Sequence, residues 1–247
     1  MESGIVSYGL QYGCYLIEAG LIILVAQSSY RKRPVSITLY LSCLLAAGLA
    51  RSLTLQRYGL HSAQYINTYW ATDFPVVISA FILVCLFFRR ACLHEEKTWR
   101  FVRLLLFFIF ILVMGVSCLT LSRNYSHLFT YFIIEFNQNL YFACLVLNTL
   151  LYILLQQLNS ADDQLGLLVC GVGLQFAGPA ATLALIHLTT GEGFAQSLGS
   201  LAMRLCTVGM LLVWAYAIVR VKGKAIQVVR REIPVLAEVT AHLNVQI

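Results

Sequence analysis

The sequence predicts an all-α fold, a polytopic seven-transmembrane-helix bundle with its N-terminus outside the cell and its C-terminus in the cytoplasm. The chain is 60% hydrophobic and only 11% charged, whereas a soluble domain typically carries about 25% charged residues. Seven apolar segments reach the length of roughly 20 residues that a helix needs to cross a bilayer. Basic residues collect beside alternate segments, as they do in membrane proteins.

The apolar segments predict one membrane domain over residues 1–221, followed by a cytoplasmic tail over residues 222–247. The predicted spans are Ser7–Gln27, Val35–Leu55, Tyr65–Phe88, Phe101–Leu121, Phe129–Gln157, Leu165–Leu188 and Ser197–Val221. Connections between them are short, so sequential helices should pack antiparallel. For the tail two possibilities stay open, an amphipathic helix on the inner membrane surface and an irregular polar terminus.

The distribution of Lys and Arg predicts the orientation. One side of the membrane receives the residues Arg31, Lys32, Arg33, Arg89, Arg90, Lys97, Arg100, Arg103, Arg220, Lys222, Lys224, Arg230 and Arg231. The other side has only Arg57 and Arg123, with Arg51 nearby. Because basic residues favour the cytoplasmic side, the N-terminus is expected outside, which also fits an odd number of spans. No basic region precedes the first apolar run, so we expect a retained span and not a cleaved signal peptide.

The first three spans each carry polar or charged residues. Gln11 and Glu18 are seven residues apart and share one helical face, which should point into the bundle because charge facing lipid is costly. Arg51 lies near the outer end of the second span, where it either extends to the interface or faces Asp73. In the third span Asp73 is followed by Phe74 and Pro75, and the proline can kink the helix.

The fourth span is almost wholly apolar, and the sixth carries a stripe of small residues. We expect the fourth span to face lipid or a partner subunit. In the sixth span the small residues at three- and four-residue steps are Gly166, Cys170, Gly173, Ala177 and Ala181. Such a stripe favours close packing of another helix, and Pro179 allows a bend.

The fifth span is the most polar. Glu135 and Asn139 share one face, and Asn137 and Asn148 share a nearly opposite face. A helix that is polar on two faces should be surrounded by protein or line a wet cavity. Arg204, in the seventh span, lies at a depth similar to that of Glu135, so we expect these two residues to form an ion pair. Glu18 is deeper but within reach of Arg204.

Several chemistries find no support in the sequence. All lysines lie outside the spans, so no buried amine is available for a retinal Schiff base. His61, His127 and His187 lack the spacing of a metal site, and no nucleophile or phosphate-binding motif occurs. The eight cysteines are expected to be packing residues. We therefore expect no enzyme activity, catalytic residue, metal, cofactor or nucleic-acid partner.

The sequence resembles a group of uncharacterised seven-span bacterial integral membrane proteins. The residues concerned are the opening segment Tyr8–Val25, then Arg31-Lys32-Arg33-Pro34, and Tyr65-Ile66-Asn67-Thr68-Tyr69-Trp70 before the third span. This resemblance implies a helical bundle in the bacterial inner (plasma) membrane and implies no known activity.

The charges within the spans give two readings of function, and both stay open. In one they are ion pairs that fix helix register; in the other they line an outward polar pocket. On the second reading the chain is a sensor or receptor-like module that binds a small polar or ionic ligand. The ligand would contact Glu18, Asp73, Glu135 and Arg204, with Asn139 and Gln175 in support. The alternatives are a structural or accessory subunit that contacts lipid and partner subunits, and an ion or solute transporter.

Overall fold

The computed structural model describes residues 2–27, 35–59, 62–93, 95–121, 128–157, 162–188 and 202–220. This part of the chain is all-helical, which confirms the predicted class for the described residues. The helices are α1 Glu2–Ala26, α2 Val35–Tyr58, α3 Ala63–Ala91, α4 Glu96–Leu121, α5 Leu128–Gln157, α6 Asp163–Leu188 and α7, described over Ala202–Arg220. The predicted cytoplasmic tail lies outside the described residues.

Several helices extend beyond the predicted apolar segments. Helix α2 continues to Tyr58, and α4 begins at Glu96, ahead of the apolar run that starts at Phe101. The start of α4 is stabilised locally, because the Thr98 hydroxyl donates a 2.6 Å hydrogen bond to Glu95 Oε2 and the Trp99 amide donates to the Glu95 carbonyl. Hydropathy finds the part of a helix that lies in hydrocarbon, whereas backbone hydrogen bonding continues into the polar interface.

Helices α1 to α5 and α7 are each long and apolar enough to cross a membrane, counting only described residues. Helix α3 is the most buried of these spans and packs against α2, α4, α5 and α6. Helix α5 packs against α3, α4 and α6, so protein surrounds it on three sides, as its two polar faces predicted. Helix α1 packs on α2. Asp73 of α3 and Asn137 and Asn148 of α5 are buried in this interior, whereas Gln138 of α5 is exposed.

Helix α7 lies antiparallel along α6. The indole of Trp214 is fully buried and donates a 3.0 Å hydrogen bond to the Leu168 carbonyl. It fits because residue 171 is glycine, since a Cβ there would lie 2.6 Å from the indole atoms Cδ1 and Nε1. Further along, a Cβ on Gly178 would lie 3.2 Å from Cys206 Cβ. Glycines at both levels thus allow close approach of the two helices.

Ion pairs join three helix ends at one surface. Arg90, at the end of α3, donates through Nε and Nη2 to the two carboxylate oxygens of Asp162, at 2.9 and 3.0 Å. Arg220 in α7 lies 3.7 Å from Asp163. Asp162 also accepts the Leu165 amide at 3.2 Å, which caps the start of α6. The C-terminal ends of α3 and α7 therefore meet the N-terminal end of α6.

The outer surface of the bundle is strongly apolar. Helix α4 exposes a row of bulky side chains that includes Leu104, Phe107, Phe108 and Ile111. A water-soluble protein rarely exposes such a continuous apolar surface. Together with the spans, it marks the chain as a membrane protein whose apolar helices contact lipid.

Candidate functional site

An ion pair between α2 and α3 forms the centre of the candidate site. Arg51 Nη2 lies 2.8 Å from Asp73 Oδ1, and the Asp73 side chain is 9% exposed against 23% for Arg51. Of the two arrangements open for Arg51, the structure thus forms the one that faces Asp73. A buried carboxylate needs such a partner because desolvation of an isolated charge costs several kcal/mol.

Arg51 is held by more than its ion pair. Its Nε donates a 2.9 Å hydrogen bond to Thr72 Oγ1, and Nη2 is 3.3 Å from the Tyr69 carbonyl oxygen. Its guanidinium carbon lies 4.1 Å from the centre of the Tyr69 ring, within the range of a cation–π interaction. These contacts fix Arg51 to one face of α3.

Helix α5 contributes two further groups to Asp73. Asn137 Nδ2 lies 3.3 Å from Asp73 Oδ2, and the Tyr141 hydroxyl lies 3.5 Å from Oδ1, at the long limit of a hydrogen bond. Asn137 is buried, and its own Oδ1 has no hydrogen-bond partner within the described part of the chain. Asp73 thus connects α2, α3 and α5, and the amide beside it keeps one acceptor unused.

Glu18, on α1, is the second buried acid of the interior. It is 3% exposed, and its Oε2 has no hydrogen-bond partner among the described residues. One turn away, the Tyr15 hydroxyl accepts from Gln11 Nε2 and donates to the Gly48 carbonyl of α2, both at 2.7 Å. These bonds place the polar face of α1 against the bundle, as the spacing of Gln11 and Glu18 predicted.

Two tyrosines lie on helices next to the acids. The Tyr141 hydroxyl of α5 lies 3.5 Å from Asp73 Oδ1, and Tyr40 of α2 is 3% exposed. The Tyr40 ring packs edge-on against Trp214 at 5.8 Å between centroids. Tyr141 therefore belongs to the surroundings of Asp73, and Tyr40 to the aromatic packing between α2 and α7.

The predicted pairing of Glu135 with Arg204 is not among the ion pairs of the described residues. These pairs are Arg51–Asp73, Arg90–Asp162, Arg100–Glu96 and Arg220–Asp163. Glu135 is half-buried on α5. Similar depth alone does not predict a partner, because it does not say on which side of a helix the partner lies.

The two predicted supporting amides have different surroundings. Asn139 Nδ2 donates a 3.2 Å hydrogen bond to Ser117 Oγ of α4, so it joins α5 to α4. Gln175, on α6, has a buried Oε1 with no partner in the described part of the chain. Asn139 is thereby placed on the α4 side of α5, whereas Asn137 faces Asp73 on α3.

The small residues of α6 whose side chains are described do not form one contact stripe; the side chains of Pro179 and Ala181 lie outside the described part of the chain. A Cβ on Gly173 would lie 2.9 Å from Asn148 Nδ2, so Gly173 makes room for the Asn148 amide, which donates to the Val169 carbonyl at 3.2 Å. A Cβ on Gly166 would have nothing within 4 Å, and Ala177 is exposed. The close approach to α7 instead uses Gly171 and Gly178, which lie on another face of the helix.

Sequence reasoning missed several members of the site. Tyr69 belongs to an aromatic cluster that is typical of a membrane interface, yet its ring also makes the cation–π contact with Arg51. Two signals were available: Thr72 directly precedes Asp73, and Tyr141 follows Asn137 by four residues and so shares its face. For Tyr40 the sequence gives no comparable signal, because a single tyrosine in an apolar span has many possible neighbours.

Within the described residues no group of three His, Cys, Asp or Glu side chains could hold a metal ion. The side chains of His61, His127 and His187 lie outside the described part of the chain. No protein-family model matches the chain, and neither a curated protein nor a solved structure is detectably similar to it. Function has to be inferred from the polar interior itself.

Proposed function

We propose that the chain is a seven-span protein of the bacterial inner membrane, with residues 1–221 as one membrane domain and the tail in the cytoplasm. The ends of α3, α6 and α7 meet through Arg90, Asp162, Asp163 and Arg220, which fits helices that alternate in direction. Helix α6 lies alongside the membrane-length α7, from Asp163 near Arg220 to Gly178 near Cys206. This antiparallel register supports α6 as a further span.

Within this topology we assign the chain to the sensor or receptor-like class of binding modules. The observation that supports this assignment is the burial of Glu18, which is 3% exposed and has a carboxylate oxygen without a hydrogen-bond partner in the described part of the chain. If Glu18 served only as half of a structural ion pair, a cation would lie beside it, as Arg51 lies beside Asp73. A carboxylate without a donor is costly in hydrocarbon unless something else supplies one. Binding of a small polar or ionic ligand supplies the missing donor and stabilises the packing around it.

The pocket that we propose opens towards the outside. In the proposed orientation Arg51 and Asp73 lie towards the outer ends of α2 and α3, and Glu18 lies deeper. A ligand that enters from the outside would meet the Arg51–Asp73 pair first. Since that pair joins α2, α3 and α5, a change there would alter the packing of three helices and reach the inner surface.

Two other functions remain as competing proposals. An accessory subunit would use the exposed apolar row of α4 as a docking face, and a transporter would use the carboxylates as a path. The accessory reading explains the apolar surface but gives no reason for an unpartnered interior acid. The transport reading requires acids through the inner half of the spans, whereas the acids of the predicted spans lie in the outer half or, for Glu18, near the middle.

A thermal-stability screen of the purified protein tests the sensor proposal. Small ions and polar solutes are added at constant ionic strength, and the melting temperature is recorded for the wild type and for Glu18→Gln. We expect at least one solute to stabilise the wild type in a saturable manner and to lose its effect in the variant, because a ligand that binds only the folded state raises its stability. Glu96→Gln, an exposed acid on α4, is the matched control.

Two outcomes would favour the competitors. Stoichiometric co-purification of a partner, with no stabilising solute, points to the accessory subunit. Uptake of ions or solutes into liposomes that is lost in Glu18→Gln points to a transporter. Reporter fusions at residue 221 test the topology separately, since a reporter that is active only in the cytoplasm must be active there.

A further inference from the structure

The buried side-chain atoms that lack partners share one chemical property. Within the described part of the chain all of them are acceptor oxygens, and they belong to Glu18, Asn137, Asn148 and Gln175. No buried side-chain donor in that part is left without an acceptor. The interior is therefore short of donors and positive charge, and a ligand that suits it brings one or the other.

The two buried acids differ in how their charge is compensated. Asp73 has a cation at 2.8 Å and the Asn137 amide at 3.3 Å. Glu18 forms no ion pair in the described part of the chain, although it is the more buried acid. Of the two buried acids, Glu18 is therefore the one without a compensating partner in the described part of the chain.

The surroundings of Glu18 indicate what would compensate it. Tyr15 lies one turn from Glu18 on α1, and its hydroxyl donates to the Gly48 carbonyl of α2 at 2.7 Å; Tyr40 of α2 is buried. These groups offer neutral oxygens and aromatic faces, both of which bind cations of low charge. A single carboxylate balances one positive charge, and no cluster of three acidic, His or Cys ligands for a divalent metal occurs among the described residues.

We infer that Glu18 is the anionic group of an interior site for a monovalent cation, with the hydroxyls of Tyr15 and Tyr40 as neighbouring neutral groups. This inference rests on the proposed binding function and names its ligand class. An alkali metal ion and a protonated amine share the chemistry that the site requires, a single positive charge that can meet carboxylate and hydroxyl oxygens. The occupied site removes the uncompensated charge and joins α1 to α2.

Cation titrations of the purified protein in nanodiscs test the inference. The ionic strength is held constant with N-methyl-D-glucamine chloride, and Na⁺, K⁺, methylammonium or choline replaces it stepwise while the melting temperature is recorded. At least one cation should stabilise the wild type with saturation. In Glu18→Gln the half-saturating concentration should rise by about tenfold or more, as expected for the loss of one charged partner. Glu96→Gln should titrate like the wild type.

A second variant keeps the test decisive if Glu18→Gln does not fold. Tyr40→Phe retains the ring and its packing on Trp214 at 5.8 Å but removes the hydroxyl. It should raise the half-saturating concentration about three- to tenfold, the effect of one neutral hydrogen bond. A response to Na⁺ or K⁺ alone identifies a metal ion, whereas a response to methylammonium or choline alone identifies an organic cation.

Three results would overturn the inference. One is an equal response of the wild type and Glu18→Gln to every cation. Another is stabilisation that follows pH but no cation, which would make Glu18 a proton site. The third is stabilisation of the wild type only by anions or neutral solutes, with the effect lost in Arg51→Gln; this result keeps the proposed binding function and removes only the cation. If neither cations nor any other solute stabilises the protein, the proposed function fails as well.

Discussion

Neutralising the two halves of the Arg51–Asp73 pair should have unequal consequences. Arg51→Gln removes the cation and leaves a carboxylate whose side chain is only 9% exposed. Asp73→Asn removes the anion and leaves a guanidinium that still bonds Thr72 at 2.9 Å and lies 4.1 Å from the Tyr69 ring centre. The arginine variant should therefore be the less stable of the two.

The magnitudes follow from what each variant leaves behind. Loss of one partner of a buried ion pair costs about 3–5 kcal/mol. Arg51→Gln should fall near 3 kcal/mol, since the arginine side chain is 23% exposed and water can reach the vacated space. Asp73 would retain only Asn137 at 3.3 Å and Tyr141 at 3.5 Å. Asp73→Asn should cost about 1–2 kcal/mol, roughly one charge-assisted hydrogen bond, because Arg51 keeps its other contacts.

A double-mutant cycle in detergent or nanodiscs provides the assay. The wild type, Arg51→Gln, Asp73→Asn and the double variant are unfolded reversibly, and the free energies of unfolding are compared. The double variant contains two neutral amides and no uncompensated charge. It should be more stable than the sum of the single effects predicts, by about 1–2 kcal/mol, which is a typical coupling between contacting residues.

Two results would refute this reasoning. If Asp73→Asn is as destabilising as Arg51→Gln, the additional contacts of Arg51 do not support it. If the coupling is below about 0.5 kcal/mol, the pair behaves like an exposed one, and the polar interior is wetter than the burial of Asp73 indicates. Either result would weaken the view that Asp73 joins α2, α3 and α5.

Two further predictions concern the packing and the ion pairs at the helix ends. Gly171→Ala should lower the free energy of unfolding by about 1–3 kcal/mol, because its Cβ would lie 2.6 Å from the buried Trp214 indole. The control Gly166→Ala, with nothing within 4 Å of the added Cβ, should be neutral or stabilise the helix by up to about 1 kcal/mol. Equal melting temperatures of the two variants would contradict the close α6–α7 contact. Arg90→Gln should lower the free energy of unfolding by about 1–2 kcal/mol, because it removes two hydrogen bonds to Asp162 from a pair whose side chains are 17% and 35% exposed. The control Arg100→Gln belongs to a pair whose side chains are 69% and 81% exposed, and it should change the free energy of unfolding by less than about 0.5 kcal/mol. A large effect of Arg100→Gln would indicate a contact that the exposed pair does not explain.

The helices could be predicted from the sequence because the bilayer imposes a length and an apolar composition on each of them. Partners could not be predicted from depth alone. Similar predicted depth suggested a pair of Arg204 with Glu135, which is not among the ion pairs of the described residues. Arg51 and Asp73 lie two to three turns from the short connection between α2 and α3, which places them level on neighbouring antiparallel helices. Adjacency in the chain was the more informative signal.

The site is less predictable than the fold because it depends on helix rotation. Asn137 and Asn139 are two residues apart, yet one bonds Asp73 on α3 and the other bonds Ser117 on α4. Their opposite roles follow from the 100° turn between successive residues of a helix. The sequence fixes their relative directions, but it does not say which helix lies on each side, and packing alone decides that.

Asp73 and Glu18 are compensated differently, and on the proposed function the first acid serves stability and the second serves binding. Both are acids that a membrane bundle buries at a cost. Around Asp73 the fold assembles a cation and an amide from two other helices, so the cost is compensated within the protein. At Glu18 one carboxylate oxygen has no hydrogen-bond partner among the described residues, and no ion pair in that part of the chain compensates the acid. A protein that needed only helix register could use the first arrangement twice. The second arrangement becomes favourable when a positive charge arrives from outside, and that conditional gain in stability is what a sensor requires.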